Sequence, residues 1–225
     1  MPTITTAGGK KGYKGFSMEG PIARWYAKVT GKDLGEFRAL AGRLAGRLGA
    51  GGAVLEVAPG PGYLAIELAK LGPYRVTGLD ISRSLVGIAA ENARRAGVAV
   101  DFRHGNASAM PFEPDSFDLV VCRAAFKNFS EPVAALDEMH RVLRPGGEAL
   151  IIDLRGDARP DEIATCVDRM GLGRLDAFIT RFTFRHMLIK RAYTAGQFRD
   201  MAASSRFGGC AIDLSPIGLE VTLRK

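Results

Sequence analysis

Short apolar segments alternate with helical patterns through the middle of the chain, and this alternation limits the fold more than any other feature. Apolar segments that fit buried strands lie at 52–58, 74–81, 98–106, 117–126 and 148–154. Helical patterns lie between most of them, and parallel strands need such crossover connections. The sequence therefore predicts a parallel sheet with helices on both faces.

Local signals mark the boundaries of several helices. The helix after the second strand begins at the capping residue Ser82 and ends at Gly97. The helix before the fifth strand is predicted over 131–147, ending at a Pro-Gly-Gly sequence. A helix over 175–191 has apolar residues on one face, and a final short helix begins at a capping box that includes Thr194.

The end of the chain breaks the alternation. Strand patterns at 210–215 and 218–225 are separated only by Pro216 and Ile217. Because this gap is too short for a crossover helix, the two strands should form an antiparallel hairpin. The predicted fold class is α/β: a doubly wound, seven-stranded sheet, mostly parallel, with a C-terminal antiparallel hairpin.

The net charge of +7 is placed mainly outside the middle of the chain. Residues 1–47 carry nine Lys/Arg against three Asp/Glu, whereas residues 48–154 carry ten against thirteen. Basic flanks suit an anionic small molecule, a nucleic acid or an acidic membrane face, and they also serve solubility. The three cysteines lie at no metal-ligand spacing, so no metal site is predicted.

The sequence also bears on location. No apolar run reaches the roughly 18–20 residues that span a bilayer, so no membrane span is predicted. The N-terminus lacks the layout of a signal peptide, and the few scattered cysteines suit a reducing compartment. We therefore expect a cytoplasmic protein.

The segment VLEVAPGPGYLA, residues 54–65, joins the first strand to the first core helix. Read as GxGxxA, it supplies Gly60, Gly62 and Ala65, and Asp80 follows twenty positions after Gly60. This spacing is typical of a dinucleotide-binding loop, in which an acidic residue binds a ribose.

Two other residues of the segment argue against a dinucleotide. Pro61 has no N–H to donate to a pyrophosphate, and Glu56 brings negative charge beside it. A ligand with a ribose and cationic groups but no phosphates avoids both problems. Binding of NAD(H) is therefore not favoured.

Five motifs occur in order over about residues 52–155, and this region resembles the class I S-adenosylmethionine-dependent methyltransferases. The motifs are EVAPGPG (56–62), GLDIS (78–82), GNASAMPF (105–112), SFDLVVC (116–122) and RVLRPGGEALIID (141–153). Ala58, in place of the family's first glycine, and Asn128, after the fourth strand, are similar to the ubiquinone and menaquinone C-methyltransferases.

The resemblance implies S-adenosyl-L-methionine as the cofactor. Asp80 would bind the ribose hydroxyls, Glu56 would help to hold the ammonium end, and Tyr26 would lie in an N-terminal lid. Asn106 departs from the family's usual aspartate, but its carbonyl can still accept from the adenine amino group. The predicted cofactor-binding residues are Glu56, Ala58, Gly60, Gly62, Asp80, Ile81, Asn106, Ala107, Arg123 and Tyr26, with Met110 as a further apolar wall or a core residue.

The substrate side is predicted from fewer signals. His186 is the candidate general base, since it lies in the expected substrate wall. Arg181 and Arg185 are one helical turn apart and could bind an anionic group, although a solvated basic face explains them equally well. Asn128 is the remaining candidate for substrate binding.

The predicted function is transfer of a methyl group from S-adenosylmethionine to carbon or oxygen of a small aromatic or anionic molecule. An RNA methyltransferase and a non-catalytic S-adenosylmethionine-binding protein are the alternatives. A nucleic-acid partner is not favoured, and a homodimer is compatible with the sequence. One domain is expected, comprising a tail with lid helices (1–50), a cofactor-binding core (51–155), substrate-side helices (156–209) and the hairpin (210–225).

Overall fold

One seven-stranded sheet forms the centre of the part of the chain that the computed structural model describes, residues 12–14, 18–31, 34–169, 171, 173–184 and 188–225. The strands are β1 (Ala53–Val57), β2 (Arg75–Asp80), β3 (Asp101–His104), β4 (Phe117–Arg123), β5 (Leu143–Leu154), β6 (Ala211–Leu214) and β7 (Gly218–Arg224). Their order is β3-β2-β1-β4-β5-β7-β6. Strands β1 to β5 are parallel, and β7 is antiparallel to both β5 and β6. The predicted fold class is confirmed.

Helices cover both faces of this sheet. They are α1 (Gly20–Thr30), α2 (Gly35–Ala45), α3 (Tyr63–Ala69), α4 (Arg83–Ala96), α5 (Pro132–Val142), α6 (Pro160–Arg169), α7 (Arg174–Thr183) and α8 (Ala195–Ser204). Leu55 and Val57 of β1 are buried in one cluster with residues of α5 and α8. Val54, which precedes Leu55 and points to the other face, is buried with residues of α2 and α3. Because successive side chains of a strand point to opposite faces, one apolar strand contributes to both halves of the core.

The boundary between α5 and β5 differs from the sequence prediction of a helix over 131–147. The helix ends at Val142, and Leu143 is already extended, with φ −70° and ψ 142°. Leu143 pairs with Phe117 of β4, and the N–H of Lys225 donates to the carbonyl of Gly147 at 3.1 Å. Pairing with neighbouring strands therefore replaces the last part of the predicted helix, and Pro145 also disfavours a helical conformation at Arg144.

The predicted caps are confirmed, and the predicted helix over 175–191 is present as α7 and, at its end, as a 3₁₀ turn over Ile189–Arg191, with residues 185–187 outside the described part of the chain. Ser82 accepts from the N–H of Leu85, Gly97 is left-handed, and α8 begins at the predicted Thr194 capping box. The helix α7 ends at Thr183, and Phe178 and Phe182 on its predicted apolar face are 66% and 55% exposed. That face is exposed at these two phenylalanines, whereas Ile189 at its other end is 6% exposed and is buried with Ile163 and Val167 of α6. No helix in the described part of the chain combines the length and apolar character needed to cross a bilayer.

Gly62, at the start of α3, occupies a position that excludes a side chain. Its φ is +80°, and a Cβ there would lie 2.6 Å from the ring of Phe102 and 2.9 Å from Ala89. We expect Gly62→Ala to lower the free energy of unfolding by about 2 kcal/mol, through left-handed strain and overpacking. Gly87→Ala, in open space on α4, should instead raise it by about 0.5–1 kcal/mol. Urea denaturation checks both, and equal effects would contradict the packing argument.

Candidate functional site

The sheet has a topological switch point between β1 and β4. These strands are neighbours, but the chain continues from β1 to β2 and β3 on one side before returning to β4 on the other. In open α/β sheets, ligands bind outside the carboxyl ends of the strands at such a point. The residues that follow β1 and β4, Ala58 and Ala124, both have φ of +56°, which is uncommon for alanine. We place the candidate site in this crevice.

The loop Ala58–Gly62 has no backbone donor left for a phosphate. Two of its five residues are prolines and have no N–H. The other three N–H groups donate within the protein: Ala58 to the carbonyl of Leu79 at 2.8 Å, Gly60 to the carboxylate of Asp80 at 3.0 Å, and Gly62 to the carbonyl of Pro59 at 3.0 Å. A pyrophosphate cradle requires these N–H groups to point at the ligand. The loop geometry therefore disfavours a dinucleotide.

Asp80 ends β2 and is 5% exposed. One carboxylate oxygen accepts from the N–H of Gly60 at 3.0 Å, and the other accepts from the N–H of Ser82 at 2.8 Å. Burial raises the pKa of Asp80 to about 6, although these two N–H groups lower it. The carboxylate is thus fixed by the loop and by the start of α4, and each oxygen keeps a lone pair for a further donor.

Glu56 lies in β1 and is 4% exposed. Its carboxylate accepts from the N–H of Ala65, in α3, at 2.9 Å. Burial raises the pKa of Glu56 to about 8, against the Ala65 N–H and the positive charge of Arg123, which lower it. A cationic group bound nearby would favour the ionised form and reverse this shift.

Tyr26 and Arg123 approach the site from different sides. A Cβ at Gly60 would lie 3.4 Å from the Tyr26 ring, so α1 brings that ring against the loop. Burial raises the pKa of Tyr26. The positive charge of Arg123 lowers this pKa, whereas the negative charges of Asp80 and Glu56 raise it. Arg123, at the end of β4, donates to Glu36 of α2 at 2.6 Å and lies 4.6 Å from the centroid of the Phe37 ring. The sequence predicts its position near the site, but not this engagement with α2.

The predicted adenine residues lie together, and the N-terminal segment contacts them. A Cβ at Gly12 would lie 2.8 Å from both amide atoms of Asn106 and from the end of the Ile81 side chain. The Asn106 side-chain oxygen also accepts from the N–H of Ser108 at 3.0 Å. Ala107 is half-buried, whereas Met110 is 5% exposed and belongs to the main core. Met110 is therefore a core residue.

The turn after β4 is held by a buried ion pair that sequence reasoning missed. The Lys127 ammonium donates to Asp153 at 2.7 Å and to the carbonyl of Ala124 at 2.7 Å. Asp153, at the end of β5, also accepts from the N–H of Lys127 at 3.1 Å. Asn128 ends this turn, and its carbonyl accepts from the N–H of Lys14 at 2.7 Å. The turn thus connects the sheet edge to the N-terminal segment.

The predicted cationic substrate site is described only in part. Arg181 lies on α7 and forms an ion pair with Asp168 of α6, so its charge is largely compensated. Arg185 and His186 lie outside the described residues, and their roles stay predictions. Within the described residues, no group of three or more His, Cys, Asp or Glu could hold a metal ion.

Comparison with known sequences agrees with this geometry. Residues 55–151, which include β1, the loop, Asp80 and β4, match a family model described as a methyltransferase domain. The core of this chain is therefore similar to methyltransferase domains. A demethylmenaquinone methyltransferase of Chlorobaculum parvum is 39% identical over 100 residues, which is 44% of this chain and 40% of that protein. A ubiquinone/menaquinone biosynthesis C-methyltransferase of Bdellovibrio bacteriovorus is 35% identical over 105 residues, covering 46% of this chain and 45% of that protein.

The resemblance predicted from the motifs is therefore confirmed for the methyltransferase domain. The match spans less than half the length of each of these two relatives. Among solved structures, a protein of Methanococcus maripaludis described as an S-adenosyl-L-methionine-dependent methyltransferase has a TM-score of 0.73 and 21% identity, with 98% of this chain and 97% of that chain covered. The [4+2]-cyclase SpnF has a TM-score of 0.55 at 23% identity, covering 84% and 80%. At these identities the neighbours establish the fold, and SpnF illustrates that the fold also supports other reactions.

Proposed function

We propose that this protein is an S-adenosylmethionine-dependent methyltransferase acting on a small molecule, at carbon or oxygen. The observation that carries the proposal is the loop Ala58–Gly62, whose N–H groups are all absent or engaged, placed between the buried carboxyl groups of Glu56 and Asp80. Such a site suits a ligand with a ribose and positive charge but without phosphates. S-adenosylmethionine has this composition, and when bound it supplies a methyl group on a positively charged sulfur.

Different residues of the chain would bind the ribose, the adenine and the ammonium end of the ligand. Asp80 would accept from the ribose hydroxyls, because both of its oxygens are fixed and buried. Asn106, Ala107 and Ile81 would contact the adenine, and this requires the backbone at Gly12 to move or to adapt to the ring. Glu56 would stabilise the ammonium end, near Ala58 and the glycines of the loop.

For the acceptor, the named relatives suggest the ring of a reduced quinone, which is aromatic and can lose a phenolic proton. Alignment and exclusion of water supply much of the acceleration in such a displacement. We propose His186 as the base for that proton, with Asn128, Arg181 and Arg185 on the substrate side. Formation of S-adenosylhomocysteine from S-adenosylmethionine tests the function with reduced naphthoquinones, phenols and anionic aromatics as acceptors. No turnover with any acceptor, despite cofactor binding, would favour the non-catalytic alternative.

The raised pKa of Glu56 predicts that ligand binding releases a proton. With a pKa of about 8 in the free protein, Glu56 is mainly neutral at pH 7. The ammonium of S-adenosylhomocysteine would lower this pKa, so binding should release about one proton and affinity should rise with pH up to about 8. Calorimetric titration in buffers of different ionisation enthalpy measures the release. Glu56→Gln should abolish it, and equal release by this variant and the wild type would contradict the assignment.

The proposal also covers where the protein is located and whether it forms a dimer. We propose a cytoplasmic location, which cell fractionation tests, and a homodimer, which analytical ultracentrifugation tests. The subdivision of the chain into lid, core, substrate-side helices and hairpin likewise stays a proposal.

A further inference from the structure

The outer face of α1 is apolar and exposed. Trp25 is 65% exposed, Ile22 48% and Val29 42%. At about 100° per residue, these three side chains lie within an arc of about 60°. The opposite side of the helix carries Ala23 and Ala27, which are buried. The fold therefore uses the alanine face of α1 for packing and leaves a row of large apolar side chains in water, which is a feature of interaction sites.

The charges beside this apolar row are positive. Arg24 and Lys28 are exposed on α1, and the sequence of the helix contains no Asp or Glu. The nearest acid before it, Glu19, is turned away, since its carboxylate accepts from the N–H groups of Arg83 and Ser84 at 2.9 Å each.

Positive charge also exceeds negative charge in the segments around α1. In the groove between α1 and α4, Glu91 is paired with Arg95 at 2.7 Å. Residues 1–47 as a whole carry nine Lys/Arg against three Asp/Glu. The apolar row thus lies in a basic part of the molecule.

We propose that α1 docks this protein on an anionic lipid bilayer, with Trp25, Ile22 and Val29 inserted at the boundary between headgroups and acyl chains. An exposed tryptophan in an apolar row bordered by cations is the composition of helices that lie in the membrane interface. Arg24 and Lys28 would pair with lipid phosphates, while their aliphatic stems stay in the apolar region. A nucleic acid would use the cations but would leave Ile22 and Val29 in water.

The docking has a consequence for the crevice. Since α1 also holds Tyr26 against Gly60, a docked helix would keep the candidate site about one helix diameter, or ~10 Å, from the lipid. This consequence rests on the proposed function, whereas the docking itself does not.

Trp25 is the only tryptophan of the chain, so its fluorescence reports on the proposed contact alone. The full-length protein is titrated with vesicles of phosphatidylglycerol and phosphatidylcholine in equal parts, and with vesicles of phosphatidylcholine alone. We expect a saturable blue shift with the mixed vesicles. Partitioning should weaken roughly thirty-fold in Arg24→Gln/Lys28→Gln, which corresponds to about five-fold for each cation near the surface.

Two controls separate this face from general effects. Arg199→Gln/Arg206→Gln removes the same charge from exposed positions on and just after α8, on the opposite side of the sheet, and should leave partitioning within two- to three-fold of the wild type. Ile22→Ser/Val29→Ser should lose the blue shift.

Three outcomes would overturn the proposal. The first is no shift of wild-type Trp25 with the mixed vesicles. The second is an equal loss of binding in both arginine-containing double variants. The third is a shift that depends on protein concentration without vesicles, which would indicate a second copy of the chain on this face. Because binding of S-adenosylhomocysteine is measured separately, failure of the docking leaves the proposed function untouched.

Discussion

Replacement of Asp80 by alanine is expected to weaken binding of S-adenosylhomocysteine about 1,000-fold. Two hydrogen bonds from ribose hydroxyls to an ionised carboxylate would be lost, and each bond to a charged group contributes about 1.5–3 kcal/mol. The carboxylate is already fixed by the N–H groups of Gly60 and Ser82, so the wild-type site is preorganised for this contact. Calorimetric titration at pH 8, above the pKa of about 6, measures the loss with Asp80 ionised.

The matched variant for this experiment is Asp80→Asn. It keeps the volume of the side chain and one oxygen, but its amide group opposes one of the two N–H donors. We expect an intermediate loss of affinity, with thermal unfolding of both variants measured beside the wild type. Wild-type affinity in folded Asp80→Ala would contradict the ribose assignment.

The second large effect is expected at the buried pair of Lys127 and Asp153. Their side chains are 8% and 2% exposed, and their charges meet at 2.7 Å. Lys127→Met should lower the free energy of unfolding by about 3–5 kcal/mol, because Asp153 would keep a buried charge without its cation. Urea denaturation of this variant at pH 7 gives the value.

An exposed ion pair supplies the control for this measurement. Arg159 and Asp161 lie 3.0 Å apart with side chains 68% and 67% exposed. Arg159→Met should cost less than 1 kcal/mol, since solvent screens such pairs. Comparable losses in the two variants would mean that burial does not govern the Lys127 pair. In addition, Lys127→Met/Asp153→Leu should recover part of the stability, because no charge remains buried.

The fold follows from the sequence where local signals and tertiary contacts agree. The hairpin could be predicted because the gap between the last two strand patterns leaves no room for a crossover. Ser82 and Gly97 bounded α4 because capping is a local interaction. The end of α5 could not be predicted in the same way. Leu143 leaves the helix to pair with Phe117, and that contact has no local signal.

In the candidate site, too, the contacts set by local spacing could be predicted and those between distant residues could not. That Glu56, Gly60 and Asp80 lie around one loop could be predicted, because the strand, loop and strand impose a fixed spacing on them. The contact of Gly12 with Asn106 and the pairing of Lys127 with Asp153 join residues far apart in the chain, so the sequence alone did not indicate them. The segment around Arg181 contains no acid that would indicate an ion pair. The partner of Arg181, Asp168, lies on a different helix.

The central claim concerns the ligand of the loop Ala58–Gly62, and isothermal titration with S-adenosylmethionine, S-adenosylhomocysteine and NADH tests it most directly. The account predicts micromolar binding of the first two, with release of a proton at pH 7, and no measurable binding of NADH. Binding of NADH, or of none of the three ligands, would contradict it.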